Sequence, residues 1–168
     1  MLSVSRFFKQ KSNLMQMLPV ITGKSRISLR LLDWFVTNYS KKKSTNIIVQ
    51  TEGNNIMYFN VFLSYKAQLK AYSKHHFDPF RRRDRISFYY EKDKFIETTI
   101  GQLNFFRWAI QNNILEYLND HSVEIEEDML NMQKNLLTEK NIRKRTEISH
   151  SFVKNMNRSE GVRIIKFD

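Results

Sequence analysis

Residues 77–118 read FDPFRRRDRISFYYEKDKFIETTIGQLNFFRWAIQNNILEYL, and this stretch decides the fold. Asp78-Pro79 closes whatever helix precedes it, because proline disfavours helical backbone at the residue before it. Arg81, Arg82, Arg83 and Arg85 follow in a basic turn next to Phe77 and Phe80. The β-branched and aromatic runs at 85–90 and 95–99 flank Glu91-Lys92-Asp93-Lys94, which reads as a hairpin with a polar tip. Thr99 and Gln102 then stand at capping-box spacing: the threonine can accept an early backbone N–H and the glutamine can reach back. A helix is expected to start there. Leu103, Phe106, Ala109 or Ile110, Ile114, Tyr117 and Leu118 recur at three- and four-residue steps, which predicts a central core helix running to 118.

Upstream, Ile27, Leu31, Trp34 and Phe35 share a helical stripe, and Lys41, Lys42 and Lys43 end that helix favourably, since cations suit a helix C-terminus. NIIVQ at 46–50 and IMYFNVF at 56–62 flank Glu52-Gly53-Asn54-Asn55 and predict a first hairpin. Residues 63–74 read as a helix with Tyr65, Leu69 and Tyr72 on one side and Lys66, Lys70 and Lys74 on the other. Downstream, Ser122 is a candidate cap for a third long helix, whose first turns hold Glu124, Glu126, Glu127 and Asp128, acids that complement the helix dipole. Past Lys140 the chain turns polar and basic before VRIIKF at 162–167. There Val162, Ile164, Ile165 and Phe167 read as a terminal strand in need of a sheet edge, which another chain can supply. The expected architecture is a small single-domain α+β protein, long helices packed on short β-hairpins with basic arms at both ends. The N-terminal arm takes 1–24, the core domain 25–140, and the basic C-terminal arm with its strand 141–168.

A chain of 168 residues can bury a core without staples. It contains no cysteine, which excludes disulfides, thiolate metal sites and cysteine nucleophiles and fits a reducing compartment. The first twenty residues make a poor signal peptide, with Lys9, Lys11 and Gln16 breaking the apolar runs, and no apolar run reaches the roughly 20 residues a bilayer span needs. The protein is expected to be soluble or peripheral and not secreted. The net charge of +11 is unevenly spread: residues 1–50 hold nine bases against one acid, whereas residues 99–139 hold two against seven. Basic ends around an acidic waist attract phosphates, anionic lipid or acidic protein surfaces without distinguishing them.

No catalytic residue, cofactor or metal is expected. Four glycines, at 23, 53, 101 and 161, cannot assemble a phosphate-cradling loop. His75, His76, His121 and His150 lack zinc-protease spacing, and no acid stands two residues before a lysine, the pairing used by many metal-dependent nucleases. His75-His76 with Asp78 reads more simply as a solvated helix end. The candidate anion- or partner-binding residues are Arg81, Arg82, Arg83 and Arg85, with Lys41, Lys42, Lys43, Arg143, Lys144 and Arg145 as further basic blocks. Guanidinium groups fork onto phosphates and carboxylates, and the aromatics beside them offer stacking faces. Sequence leaves three roles open for that turn: nucleic-acid binding, a protein interface, or a solvated turn. Trp34, Phe35, Phe105, Phe106 and Trp108 lie on helical stripes and read as core or interface aromatics.

SLRLLDWFVTNY at 28–39, FDPFRR at 77–82 and IETTIGQLNFFRWAI at 96–110 resemble a family of small uncharacterised proteins of nucleocytoplasmic large DNA viruses, the mimivirus-like and chlorovirus-like group. The likeness covers roughly residues 25–118, with a weaker one in the tail ending at Phe167-Asp168. It brings no activity and no site residue. It implies a viral setting, in which a protein of this kind is capsid-associated, virion-core or transcription-related. The expected function is therefore a non-enzymatic minor capsid or cement component bridging major capsid protein or neighbouring minor proteins, with an anionic internal membrane as a further surface. The alternative is a basic nucleic-acid-binding protein of the virion core or viral factory, acting in packaging or late transcription. The expected location is the virion, and the host cytoplasm or nucleus during assembly.

Overall fold

Residues 1–24, which the sequence reads as an arm, supply two core helices, α1 (Leu2–Phe8) and α2 (Lys11–Ile21). The computed structural model describes residues 2–51, 55–80 and 82–147. Val4, Phe8, Leu14, Met17 and Val20 are buried, while the interrupting Lys9, Lys11 and Gln16 are exposed. The polar residues that disguise the segment in one dimension are thus the outer face of two amphipathic helices. Pro19 is tolerated because α2 ends two residues later. There Gly23 takes a positive φ of 69° and the Lys24 N–H turns back to the Pro19 carbonyl at 2.8 Å.

Ser28 caps α3 (Leu29–Trp34), its hydroxyl accepting the Leu31 N–H at 3.1 Å. The helix continues through a π-helical turn, Phe35–Tyr39, into α4 (Ser40–Lys43), and stops at Ser44 in the left-handed region. The wider turn buries Phe35, Val36 and Tyr39 together. β1 (Asn46–Thr51) and β2 (Asn55–Asn60) pair antiparallel, with Ile47 opposite Phe59 and Ile48 opposite Tyr58. The second strand ends two residues short of the expected boundary. Asn60 is the reason: its side chain accepts the Leu63 N–H at 3.0 Å and starts α5 (Val61–Tyr72).

After a 3₁₀ turn at Lys74–His76 the arginine turn leads into β3 (Arg85–Glu91), which pairs antiparallel with β4 (Lys94–Thr99). The inner face of this hairpin is Ile86, Phe88, Ile96 and Thr98, and Phe8 of α1 meets Phe88 edge-on at 6.1 Å. α6 (Ile100–Gln111) runs through the centre, touching α1, α2, the 3₁₀ turn and β4. Contact on several sides is why adjacent Phe105 and Phe106 are both fully buried.

The core helix expected to reach 118 breaks at Asn112-Asn113. Asn113 adopts φ 54°, which asparagine tolerates, and the Asn112 side-chain amide donates to the Trp108 carbonyl at 2.7 Å, closing α6 before α7 (Ile114–Asp120) begins. The four-residue step from Ile110 to Ile114 keeps the apolar period across the break and hides it from a periodicity reading. α8 (Ser122–Glu147) follows. Ser122 is its first residue, and its hydroxyl donates back to the Asn119 carbonyl at 3.1 Å rather than accepting from the helix. Ile125 and Met129 enter the core, and the compact unit closes at Met129. In the second unit the helix continues to Glu147, past 140, where the sequence reads a linker. Val162, Ile164, Ile165 and Phe167 lie outside the described residues, as does Arg81.

Candidate interaction site at the arginine turn

The loop before the arginines is clamped onto the start of α6. Phe77 is fully buried, its ring 5.8 Å from Tyr72, 5.7 Å from Phe105 and 5.6 Å from Trp108. The Asp78 carboxylate accepts the Phe80 N–H at 2.9 Å, closing a local turn. Gly101 permits the close approach. A Cβ at that position would sit 3.0 Å from the Asp78 carbonyl oxygen, 3.2 Å from its nitrogen and 3.3 Å from the His75 carbonyl oxygen.

The capping pair does half of what its spacing predicts. Thr99 accepts the Gln102 N–H at 3.1 Å as expected. Gln102 does not reach back along its own helix: its amide donates to the Pro79 carbonyl at 2.8 Å and its oxygen accepts the Thr98 hydroxyl at 2.9 Å. Asn104 adds a bond to the His76 carbonyl at 2.9 Å. Two side-chain bonds from α6 and one glycine contact therefore hold residues 75–80 in place. Beyond them Phe80, Arg82 and Arg83 are exposed, and Asp84, at φ 58°, turns the chain into β3.

On the outer face of β3 and β4, Tyr89 and Phe95 stand opposite each other with rings 5.3 Å apart, 63% and 50% exposed. The charges beside them alternate in sign. Arg85 pairs with Glu97 at 3.1 Å, and Lys94 with Glu91 at 2.7 Å, where the hydrogen bond from Lys94 holds the Glu91 carboxyl below its usual range. Arg82 and Arg83 make no ion pair among the described residues. The first hairpin has its own exposed apolar face, with Ile48 at 55%, Tyr58 at 74% and Ile56 at 64%.

Asp78 and Phe80 also line an open cleft of about 570 Å³ together with Asp33, Lys41, Tyr65 and Lys66. Burial, reinforced by the nearby Asp78 charge, pushes the Asp33 carboxyl up to about 6. Burial and the same two carboxylates push the Tyr65 hydroxyl up to about 12. The Asp33 carboxylate has neither a hydrogen bond nor an ion pair among the described residues, although its backbone carbonyl accepts the Thr37 hydroxyl at 2.7 Å. No group of three or more potential metal ligands occurs among the described residues. Sequence reasoning missed this cleft because Asp33 and Asp78 share no motif; only the fold brings them together.

The lysine block is exposed, and two of its members meet acids of α8. Lys42 pairs with Asp128, Lys43 lies 3.8 Å from Glu124, and the Lys41 ammonium sits 5.7 Å from the centre of the Phe62 ring. The Tyr39 hydroxyl donates to Glu124 at 2.6 Å and the Trp34 indole donates to Asp128 at 3.2 Å. Burial and then the bond to Glu124 raise the Tyr39 hydroxyl well above its ordinary range. Glu124 and Asp128 are thus matched across the fold as well as along their own helix dipole. Arg143, Lys144 and Arg145 occupy the last turns of α8, in the second unit.

Fold and site define a small α+β protein whose two hairpins bury one face and expose the other. Residues 2–166 match the model of the Family of unknown function (DUF7197), and the chain belongs to that family. An uncharacterized protein of Acanthamoeba polyphaga mimivirus is 44% identical over 141 residues, 80% of this chain and 54% of the relative. The chain therefore spans about half the length of that relative, and the family has a member in a large DNA virus. No solved structure matches the chain.

Proposed function

We propose that the protein is a non-enzymatic component of a large DNA virus particle, a minor capsid or cement protein that bridges major capsid subunits or their minor neighbours. The observation that carries this reading is the pair of hairpins, each with one face in the core and an exposed outer face: aromatic and arginine-flanked on one, apolar on the other. A bridging protein needs two contact surfaces on a rigid body. Exposed aromatics and arginines are the residues that anchor protein interfaces. The alternating charges around Tyr89 and Phe95 also suit a protein surface better than a phosphate backbone, which Glu91 and Glu97 would repel.

The reading places the protein in the virion, assembled in the host cytoplasm or nucleus, with an anionic internal membrane as a further surface for the basic C-terminal segment. No helix among the described residues is long and apolar enough to cross a membrane. Quantitative mass spectrometry of purified, membrane-stripped virions tests it. Stoichiometric recovery with the shell is expected, and absence or a few copies per particle would sink the idea.

A second reading, nucleic-acid binding in packaging or late transcription, is favoured by the exposed Arg82 and Arg83, which make no ion pair among the described residues. On that reading, affinity for duplex DNA falls linearly on a log–log plot against salt. Exchange of Arg82 and Arg83 for alanine then lowers the slope by roughly 2. A flat salt response removes the second reading.

A further inference from the structure

Where α1 packs against α6, an open cavity of about 520 Å³ is lined by Ser3, Arg6, Phe7, Gln10 and Arg107. Arg107 leaves α6 between the buried Phe106 and Trp108 and is itself half-buried. Its guanidinium lies over the Phe7 ring, 5.6 Å from the centroid, and its Nη1 donates to the Ser3 hydroxyl oxygen at 2.6 Å. These contacts fix the fork without supplying a counter-charge. Arg107 also borders a smaller cavity with Gln68, Tyr72, Asn104 and Gln111, and no carboxylate lines either one. Arg6, exposed on α1, has no hydrogen bond or ion pair among the described residues. The other polar groups of the larger cavity are set to donate. The Ser3 oxygen accepts from Arg107, which leaves its own proton for another acceptor. The Gln10 side-chain oxygen accepts the Asn13 amide at 3.0 Å, which leaves the Gln10 NH₂ as the free end. The first acid of the chain is Asp33, so α1 and α2 bring no negative charge of their own.

We propose that this cavity binds a phosphomonoester dianion, with Arg6 and Arg107 forking onto its oxygens and Ser3 and Gln10 donating beside them. Two guanidinium groups in one cavity repel each other, and an anion between them reverses that cost. Guanidinium pairs with phosphate are commonly bidentate, and two forks match two negative charges. A phosphodiester carries one charge and satisfies only one fork, so the site favours the monoester, which is largely dianionic above its second pKa of about 6. The group can arrive free, as phosphate or a small phosphomonoester, or on a lipid headgroup such as phosphatidic acid. Neither source depends on the virion reading.

Titration of the full chain with methyl phosphate at about pH 7.5 and low salt, followed by proton–nitrogen NMR, tests the assignment. Saturable shifts are expected at Ser3, Arg6, Gln10 and the Arg107 side chain, with a Kd on the order of 0.1–1 mM for so open a site. Dimethyl phosphate, the monoanion, is expected to bind at least about tenfold more weakly. Arg6→Gln is expected to weaken binding about tenfold and to leave far-UV circular dichroism native, because Arg6 is exposed and holds nothing in the fold. Arg107→Lys keeps the charge and removes the fork, with an expected loss of similar size. Lys70→Gln removes an exposed charge from α5 instead and is expected to leave affinity within about twofold. Sedimentation with phosphatidic acid vesicles, set against phosphatidylserine vesicles, separates the sources. Methyl phosphate binding assigns a soluble ligand, and Arg6-dependent capture by phosphatidic acid without it assigns the headgroup. Absence of both, equal affinity for dimethyl phosphate, or equal losses from Arg6→Gln and Lys70→Gln overturns the proposal. Equal capture by both kinds of vesicle without methyl phosphate binding is general attraction to a charged membrane and also overturns it.

Discussion

Asp33 offers a test of the cleft that depends on the sign of a pH effect. Its carboxyl sits at about 6 in the folded protein against an ordinary value of 3.8, first because it is buried and second because Asp78 is near. The folded state therefore holds this proton more tightly than the unfolded chain. Below 3.8 both states are protonated and Asp33 costs nothing. Between 3.8 and about 6 the unfolded chain ionises first, so stability falls as pH rises, and above 6 the full penalty remains. If fully felt, that displacement is worth about 3 kcal/mol. The cleft is open to water, and screening reduces the expected effect to about 1.5 kcal/mol.

Asp33→Asn removes the ionisation and leaves the shape. Urea unfolding followed by far-UV circular dichroism at pH 4, 5, 6 and 7.5 is expected to show the variant gaining on the parent chain by about 1.5 kcal/mol across that range. Taking the difference cancels the titration of other acids, including Glu91, whose lowered carboxyl acts in the opposite direction. A constant difference, or one that shrinks as pH rises, would refute the argument. As a second arm, Asp78→Asn keeps an acceptor for the Phe80 N–H but removes the charge. The Asp33 carboxyl titration, followed by NMR, is then expected to move down toward the ordinary value.

Three further expectations concern the clamp and the charge pairs. Gly101→Ala places a Cβ 3.0 Å from a backbone oxygen that cannot swing aside, so it is expected to cost about 1–3 kcal/mol by denaturation; an unchanged midpoint contradicts the close approach. Phe77→Ala empties the centre of an aromatic cluster and is expected to cost about 3–5 kcal/mol in the same assay, with a loss below 1 kcal/mol as the refuting result. Asp128→Ala strands the Trp34 indole N–H and frees Lys42, with an expected loss of about 1–2 kcal/mol. A Trp34→Phe background should shrink that loss, and additivity of the two changes would show that the bond carries nothing.

The elements that were legible in the sequence are those built by near neighbours. The second hairpin appears where alternation at 85–90 and 95–99 meets a polar tip, and it pairs Phe88 with Ile96 and Tyr89 with Phe95. Thr99 caps as its spacing predicts, because a cap acts within one turn. Asn60 and Asn113 mislead for the same local reason. Each sits inside an unbroken apolar pattern, and a single side chain or one positive φ ends the element there. The N-terminal segment misleads differently. Its lysines look like interruptions until the helix puts them all on the outer face.

By itself the sequence determined an α+β protein with two hairpins, long helices and a basic aromatic turn, since period, caps and turn residues act over one to four positions. Only the tertiary structure decided what those groups face. Lys42 and Asp128 stand 86 positions apart, so no spacing rule could pair the exposed lysine block with the acids of α8. Likewise the capping glutamine becomes a tether for Pro79, and two unrelated aspartates come to share a cleft. Burial and charge pairing depend on which faces meet in space, and a linear pattern supplies the faces without the meeting.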